Sequence, residues 1–228
     1  MILSNQISFL VFVAYSLASC GHAERLSDRR YNALKFEASL NSTVGFKPNF
    51  QPLQGAFTIC SWVRKNRSQG IPVWFSYYTD TVKDPVNEIA ISDDGDFNWI
   101  FDKNNDVKTN VSVSVGQWAH YCMSWSIDSR LQRIYYNGTL VGAAETPSNR
   151  TLALDGYLIL GGDQDCYGGC LEGSQMFGGE LVKLNMFAKE LSISEIGELW
   201  KSGLCSELEE KYGRIRYLKW EDILLEER

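Results

Sequence analysis

The stretch RIYYNGTLVG sets the terms for this chain, because Asn137-Gly138 stands between two apolar runs. A two-residue type I′ turn needs positive φ at both central positions, which Asn-Gly tolerates, so the stretch predicts a β-hairpin. The same texture recurs along the sequence. In ALKFEASL, Leu34, Phe36, Ala38 and Leu40 fall on one face at period two, and AFTICSWV, PVWFSYYT, NEIAIS, DFNWIFD, AHYCMSWSI, YLILGG and GELVKLNMF repeat the theme. Many short strands punctuated by turns predict an all-β sandwich. One segment departs from it. Ser192-Ile193-Ser194-Glu195 reads as a capping box, Ile193, Ile196, Leu199 and Trp200 then share a face at helical spacing, and Gly203 is placed to end the run. A single amphipathic helix of about ten residues, docked on the β body, is expected.

Content that is 44% hydrophobic and 22% charged, over 228 residues, suits one ordinary folded domain and excludes disorder, collagen and coiled coil. The first 23 residues carry no Asp, Glu, Lys or Arg, and ISFLVFVAYSLA has the length of a signal-peptide apolar core rather than of a membrane span. The expected organisation is therefore a signal peptide over residues 1–23, cleaved after Ala18 or Ala23, followed by one domain over 24–228. Cleavage after Ala18 keeps Cys20 and all six cysteines, whereas cleavage after Ala23 leaves five, one of them unpaired. Asn41, Asn66, Asn110, Asn137 and Asn149 each begin an Asn-x-Ser/Thr sequon, which fits a secreted, extracellular glycoprotein. The formal charge of −6 and the lack of a basic stripe argue against direct recognition of nucleic acid, and no second apolar span follows the first.

Catalytic side chains are scarce. With His22 in the leader, His120 is the one histidine of the mature chain, and the alternation of AHYCMSWS puts His120, Cys122, Ser124 and Ser126 on one side of a strand. A nucleophile there would lack the exposed turn that hydrolases use, so His120 reads as a core residue beside a disulfide, and zinc is disfavoured in an oxidised chain. The loop DQDCYGGCLEGSQ, residues 163–175, is different. Asp163, Asp165 and Glu172 offer three carboxylates, and Gln164 and Gln175 add neutral oxygens, around a Gly-Gly pair. Calcium takes about six to eight hard oxygen donors from a pliable loop, and clustered carboxylates repel one another without a cation. A solvated acidic turn would not need the flanking Cys166 and Cys170, and a glycosidase pair would need one carboxyl held neutral in an apolar pocket, which a crowded Gly-rich loop does not offer. Asp102 to Asp106 begins like an EF-hand, but Val107 and Val113 stand where the glycine and the bidentate glutamate belong.

His120-Tyr-Cys122-Met-Ser124-Trp125-Ser126 fits the pentraxin signature His-x-Cys-x-Ser/Thr-Trp-x-Ser/Thr at every specified position, and the DQD…GGxxEGSQ loop is similar to that family's calcium loop. The chain resembles the pentraxin family from YNALKFE to RYLKWED. The resemblance implies a two-sheet antiparallel jelly-roll sandwich of the concanavalin A type with one short helix, a Cys60–Cys122 disulfide, and two neighbouring calcium ions per subunit. Their implied ligands are Asp163, Gln164 through its backbone oxygen, Asp165, Glu172 and Gln175, with Asn87 from a second loop. Val86 stands where members place an aspartate, so one ion is expected to bind more weakly, with Asp84 as the compensating candidate. Ser92 replaces the phenylalanine that a choline-binding member uses. Cys166 and Cys170 are additional to the minimal disulfide; a small bridged loop between them is one pairing, and a bond from either to Cys205 is the other.

The function implied is a secreted, lectin-like, calcium-dependent pattern-recognition protein of innate immunity. Its ligand would be a phosphate-, carboxylate- or carbohydrate-bearing surface, reached by avidity from a cyclic homo-oligomer, a pentamer by resemblance. The alternative is a structural or adhesive domain whose calcium only stabilises the loop. No enzymatic activity is expected.

Overall fold

The computed structural model describes residues 33–49, 55–67, 70–80, 86–101, 107–146, 152–202, 216–220 and 222–223. The leader, Cys20, His22, Asp84, Asp102 to Asp106, Asn149, Gly203 and Cys205 lie outside the described residues. The strands are β1 (Leu34–Glu37), β2 (Val44–Phe46), β3 (Ala56–Lys65), β4 (Val73–Thr79), β5 (Val86–Asp93), β6 (Phe97–Phe101), β7 (Val107–Lys108) and β8 (Ala119–Ser126). They continue with β9 (Leu131–Tyr136), β10 (Thr139–Glu145), β11 (Tyr157–Leu160), β12 (Gln164–Cys166), β13 (Gly169–Leu171) and β14 (Gly178–Phe187), then helix α1 (Ile193–Ser202) and β15 (Arg216–Leu218).

Two antiparallel sheets face each other. The larger runs β1-β14-β3-β8-β9-β10, with β15 also paired to β14, and the smaller runs β2-β11-β4-β5-β6-β7. Residues of opposite parity line opposite faces of a strand. Phe57, Ile59 and Val63 on β3 and Tyr121, Met123 and Trp125 on β8 therefore meet Phe75, Tyr77, Ile89 and Ile91 of the other sheet in the buried interior. The predicted hairpin is present: Asn137 and Gly138 have φ of 47° and 78°, and Thr139 pairs with Tyr136.

The outward parity of the larger sheet is covered by α1. Ile196 and Leu199 pack with Cys60, Cys122, Tyr135, Phe187 and Leu191 in a second buried cluster. The capping box forms as read from the sequence: Ser192 N–H donates to Glu195 Oε2 at 2.8 Å, and Glu195 N–H donates to Ser192 Oγ at 3.3 Å. Two expectations need correction. Ile193 is 57% exposed, because the first residue of the helix precedes the turn that meets the sheet. Leu40 is also exposed, since β1 ends at Glu37 and the chain turns at Ala38 with φ of 57°, breaking the alternation that Leu34 and Phe36 obey.

The two layers are also joined by a buried ion pair. Lys65 at the end of β3 places Nζ 3.0 Å from Oδ1 of Asp93 at the end of β5, and both side chains are buried. Ser112 Oγ donates to Asp93 Oδ1 at 2.6 Å and Val113 N–H to Oδ2 at 2.7 Å, so the carboxylate is hydrogen-bonded as well as paired.

A candidate metal-binding hairpin on the outer face of the smaller sheet

Among the described residues, strands β12 and β13 form a two-stranded sheet of their own, and β12 lies against β4 and β5. They carry the DQDCYGGCLEGSQ sequence. Cys166 and Cys170 are joined by a disulfide with Cα atoms 5.4 Å apart, the small bridged loop of the two pairings; Cys205 lies outside the described residues. The turn between them places Gly168 at φ of 69° and Cys170 at 55°, a left-handed region that glycine enters freely and other residues seldom do. After β13 the chain makes one 3-10 turn, Gly173–Gln175, in which Gln175 N–H donates to Glu172 O at 3.0 Å.

The hairpin is fastened at its base. Phe177 N–H donates to Gly161 O at 2.9 Å, and Val73 of β4 bridges Met176. On the far side Ile71 N–H donates to Ser174 O at 3.0 Å. This approach requires glycine at position 70, where a Cβ would sit 2.4 Å from Ser174 O and φ is +79°.

The six ligand candidates fall into distinct environments. Asp163 is buried, 8% exposed, and accepts a hydrogen bond from Gln175 Nε2 at 3.3 Å. Gln175 Oε1 is buried without a hydrogen-bond partner. Asp165 and Glu172 are exposed. Asp165 lies close enough to Tyr78 that, after burial itself and the charge of Asp80, its own charge contributes to raising the phenol above its ordinary range. Tyr78 pairs in register with Asn87 on one side and with Tyr157 on the other. The second-loop candidate Asn87 thus reaches the same end of the smaller sheet as Asp165. Ser92, further along β5, is buried and pairs with Val73, giving no apolar wall for a choline group.

The behaviour of Gln164 could not be read from sequence. Expected only as a backbone donor, it is fully buried, and Nε2 donates to Ser76 O at 2.8 Å and to Tyr157 O at 2.9 Å. Its Oε1 accepts Gly168 N–H at 3.0 Å. No sequence signal distinguishes a buried, triply bonded glutamine from an exposed one.

The donor set is made of carboxylates and amide oxygens, and it includes one buried acceptor, Gln175 Oε1, that no protein donor satisfies. A buried acceptor left unpaired is unfavourable, and a hard cation beside Asp163 would satisfy it. The residues present therefore fit calcium.

Among the described residues, the one group of three His, Cys, Asp or Glu side chains whose ligand atoms all lie within 4.8 Å of one another is Cys60, His120 and Cys122; Asp163, Asp165 and Glu172 do not converge that closely. Cys60 and Cys122 face each other across β3 and β8 and form a disulfide, Cα atoms 4.1 Å apart, as the resemblance implied. His120 is buried with Nε2 3.8 Å from Cys122 Sγ. Burial, aided by the charge of Lys183, pushes its pKa down to about 3, so the ring is neutral at physiological pH. It is the core histidine expected. Among the sequons, Asn41, Asn66 and Asn110 are exposed, whereas Asn137 is half-buried with Oδ1 accepting His120 N–H at 2.9 Å.

The Pentaxin family profile matches residues 33–222, nearly the whole of the described fold. The chain belongs to the pentaxin family. Among its relatives, C-reactive protein 1.1 of Limulus polyphemus is 31% identical over 189 residues, covering 78% of this chain and 72% of that protein. Neuronal pentraxin-2 of Cavia porcellus is 31% identical over 190 residues, covering 75% of this chain. The chain spans less than half the length of the neuronal pentraxins it matches, 42% of the Cavia porcellus protein and 35% of human neuronal pentraxin-1. The native heptameric SAP-like pentraxin of Limulus polyphemus superimposes with a TM-score of 0.63 at 22% identity, covering 78% of this chain and 86% of that one. The jelly-roll sandwich with one short helix is thus a pentaxin fold. No helix among the described residues is long and apolar enough to cross a membrane.

Proposed function

We propose that this pentaxin is an exported, calcium-dependent recognition protein whose metal lies on the β12–β13 hairpin. The observation that carries the reading is that Gln175 donates through Nε2 to Asp163 while its buried Oε1 has no donor, on a bridged loop that also carries the exposed Asp165 and Glu172. Asp163, the backbone oxygen of Gln164, Asp165, Glu172 and Gln175 would hold calcium, with Asn87 contributing from β5, and two ions per subunit are part of the reading. Calcium bound there keeps coordination positions open to solvent, where phosphate, carboxylate or vicinal hydroxyl oxygens of a surface ligand replace water. Asp165 and Glu172 lie at the surface, so a ligand could reach an ion that they help to hold.

A single ion-bridged group binds weakly, so a closed ring of subunits presenting identical faces is part of the proposal. The heptameric Limulus relative bears on ring assembly and leaves five and seven subunits as the numbers to compare. Two disulfides and three exposed sequons support export. Catalysis forms no part of the reading: His120 is buried against a disulfide instead of standing beside a nucleophile.

Calorimetric calcium titration of the secreted protein beside an Asp165→Asn, Glu172→Gln variant tests the reading. Saturable binding lost in the variant is expected, followed by calcium-dependent retention on immobilised phosphate or carbohydrate. Calcium binding without such retention would favour a structural domain, and absence of binding in both proteins would refute the metal site.

A further inference from the structure

On a strand, residue 164 points opposite to 165. Gln164 points into the smaller sheet, and its primary amide uses both Nε2 hydrogens and its oxygen there: one donation to β4 at Ser76 O, one to β11 at Tyr157 O, and one acceptance from Gly168 N–H at the hairpin turn. Its own N–H donates to Ser76 Oγ at 3.3 Å, a fourth hydrogen bond and the second to β4. Among the described residues, the hairpin pairs with neither large sheet. From this we infer that Gln164 is the positioning residue of the metal hairpin, holding Asp165 on the outward parity and fixing Asp163 just before the strand; the inference rests on the calcium reading above.

The side-chain chemistry is specific. Two carbonyl acceptors 2.8 and 2.9 Å from one nitrogen, with an amide N–H facing the adjacent oxygen, require two donors and one acceptor at the end of a four-atom reach. Glutamate has the reach and no donors when ionised, methionine has the reach and neither function, and asparagine is one methylene short. If Gln164 served the ion through its backbone oxygen alone, all of these would be tolerated. If it positions the hairpin, they leave buried carbonyls unpaired and release the turn.

Gln164→Glu and Gln164→Met therefore separate the two roles. Terbium is a calcium substitute whose emission is sensitised by nearby tyrosine, and Tyr78 lies beside Asp165. Titration with terbium and with calcium is expected to show affinity weakened roughly tenfold or more in both variants, while the metal-free proteins keep the near-ultraviolet dichroism of the wild-type core. Wild-type affinity in both variants overturns the inference. Hydrogen exchange at the Gly168 amide gives a metal-independent readout. Slow exchange in the metal-free wild type, lost in the variants, supports the inference even if the wild type binds no metal, an outcome that would refute only the calcium reading. Fast Gly168 exchange in the folded wild type overturns it whether or not a variant folds.

Discussion

Replacing Cys166 and Cys170 together by serine opens the hairpin turn and leaves every ligand candidate in place. The two residues are four apart in sequence, and the chain-entropy relation for a loop of that length gives about 6 cal/mol/K, or about 2 kcal/mol at 25 °C. The same relation applied to the separation of 62 between Cys60 and Cys122 gives about 4 kcal/mol. The two contributions act in different places. Cys60–Cys122 is buried under α1 between two paired strands, so it stabilises the body of the fold. Cys166–Cys170 closes a hairpin of two three-residue strands outside both large sheets, so it acts on the ordering of the metal loop. If binding the ion has to order that loop, about 2 kcal/mol becomes an approximately thirtyfold weaker Kd. Calcium titration of the double-serine variant should show that loss, with the Tm of the metal-free protein nearly that of wild type. An affinity within about twofold of wild type would refute the reasoning, and would mean that the Gln164 hydrogen bonds alone order the hairpin.

Asp93→Ala leaves Lys65 charged and buried, and should cost about 3–5 kcal/mol in urea denaturation, whereas Lys65→Met combined with Asp93→Leu should recover much of it; equal losses in the single and double variants would contradict the pairing. His120 has a folded pKa of about 3 against 6.5 for the free side chain, lowered by burial and then by Lys183. The unfolded chain therefore binds the proton first as pH falls, so stability is intact above 6.5 and declines between 6.5 and about 3 at about 1.4 kcal/mol per pH unit. That amounts to about 2 kcal/mol by about pH 5, and His120→Gln should flatten the slope; an unchanged profile would exclude His120 as its source. Ser192→Ala should cost about 1 kcal/mol by removing the helix cap. Glu195, whose partial burial alone would raise its pKa, is held below 4.5 by Lys189 and Ser192, so its contribution should fade as the solution is acidified through that range, and a cap variant as stable as wild type would remove this reasoning.

The fold was legible wherever one residue type answers one local demand. Asn137-Gly138 forms the predicted turn because few pairs accept two positive φ values, and Ser192 with Glu195 caps α1 because two orphan donors need two acceptors at that spacing. Periodicity failed at its ends. Leu40 and Ile193 continue the apolar pattern of β1 and α1 in sequence, but each lies beyond the residues that reach the core. The candidate site was legible as a list of oxygens, since carboxylates clustered on a Gly-rich loop carry their own repulsion. What could not be read was the hold on that loop. Gln164 looks like any polar residue until two backbone carbonyls from distant strands, 88 and 7 residues away in sequence, are seen to converge on its amide. The Lys65–Asp93 pair was missed for the same reason, because its partners lie in different sheets.

Two of the acidic settings of this chain bear on why the proposed ion would sit outside the sandwich. Asp93 is fully buried, and a carboxylate there must be neutralised at all times, so its cation is Lys65, covalently part of the protein. Asp165 and Glu172 remain exposed, so water can hydrate them whenever their cation leaves. Only the second arrangement permits exchange of the cation without unfolding the body that carries it. A recognition site governed by calcium needs that reversibility, and it needs a loop that does not collapse while empty. Gln164 from below and the Cys166–Cys170 bridge from within both supply constraints of that kind, and they meet at the turn, where Gln164 Oε1 accepts Gly168 N–H between the two cysteines. Their effects on calcium affinity should therefore couple in a double variant, and strict additivity would show that they restrain different motions.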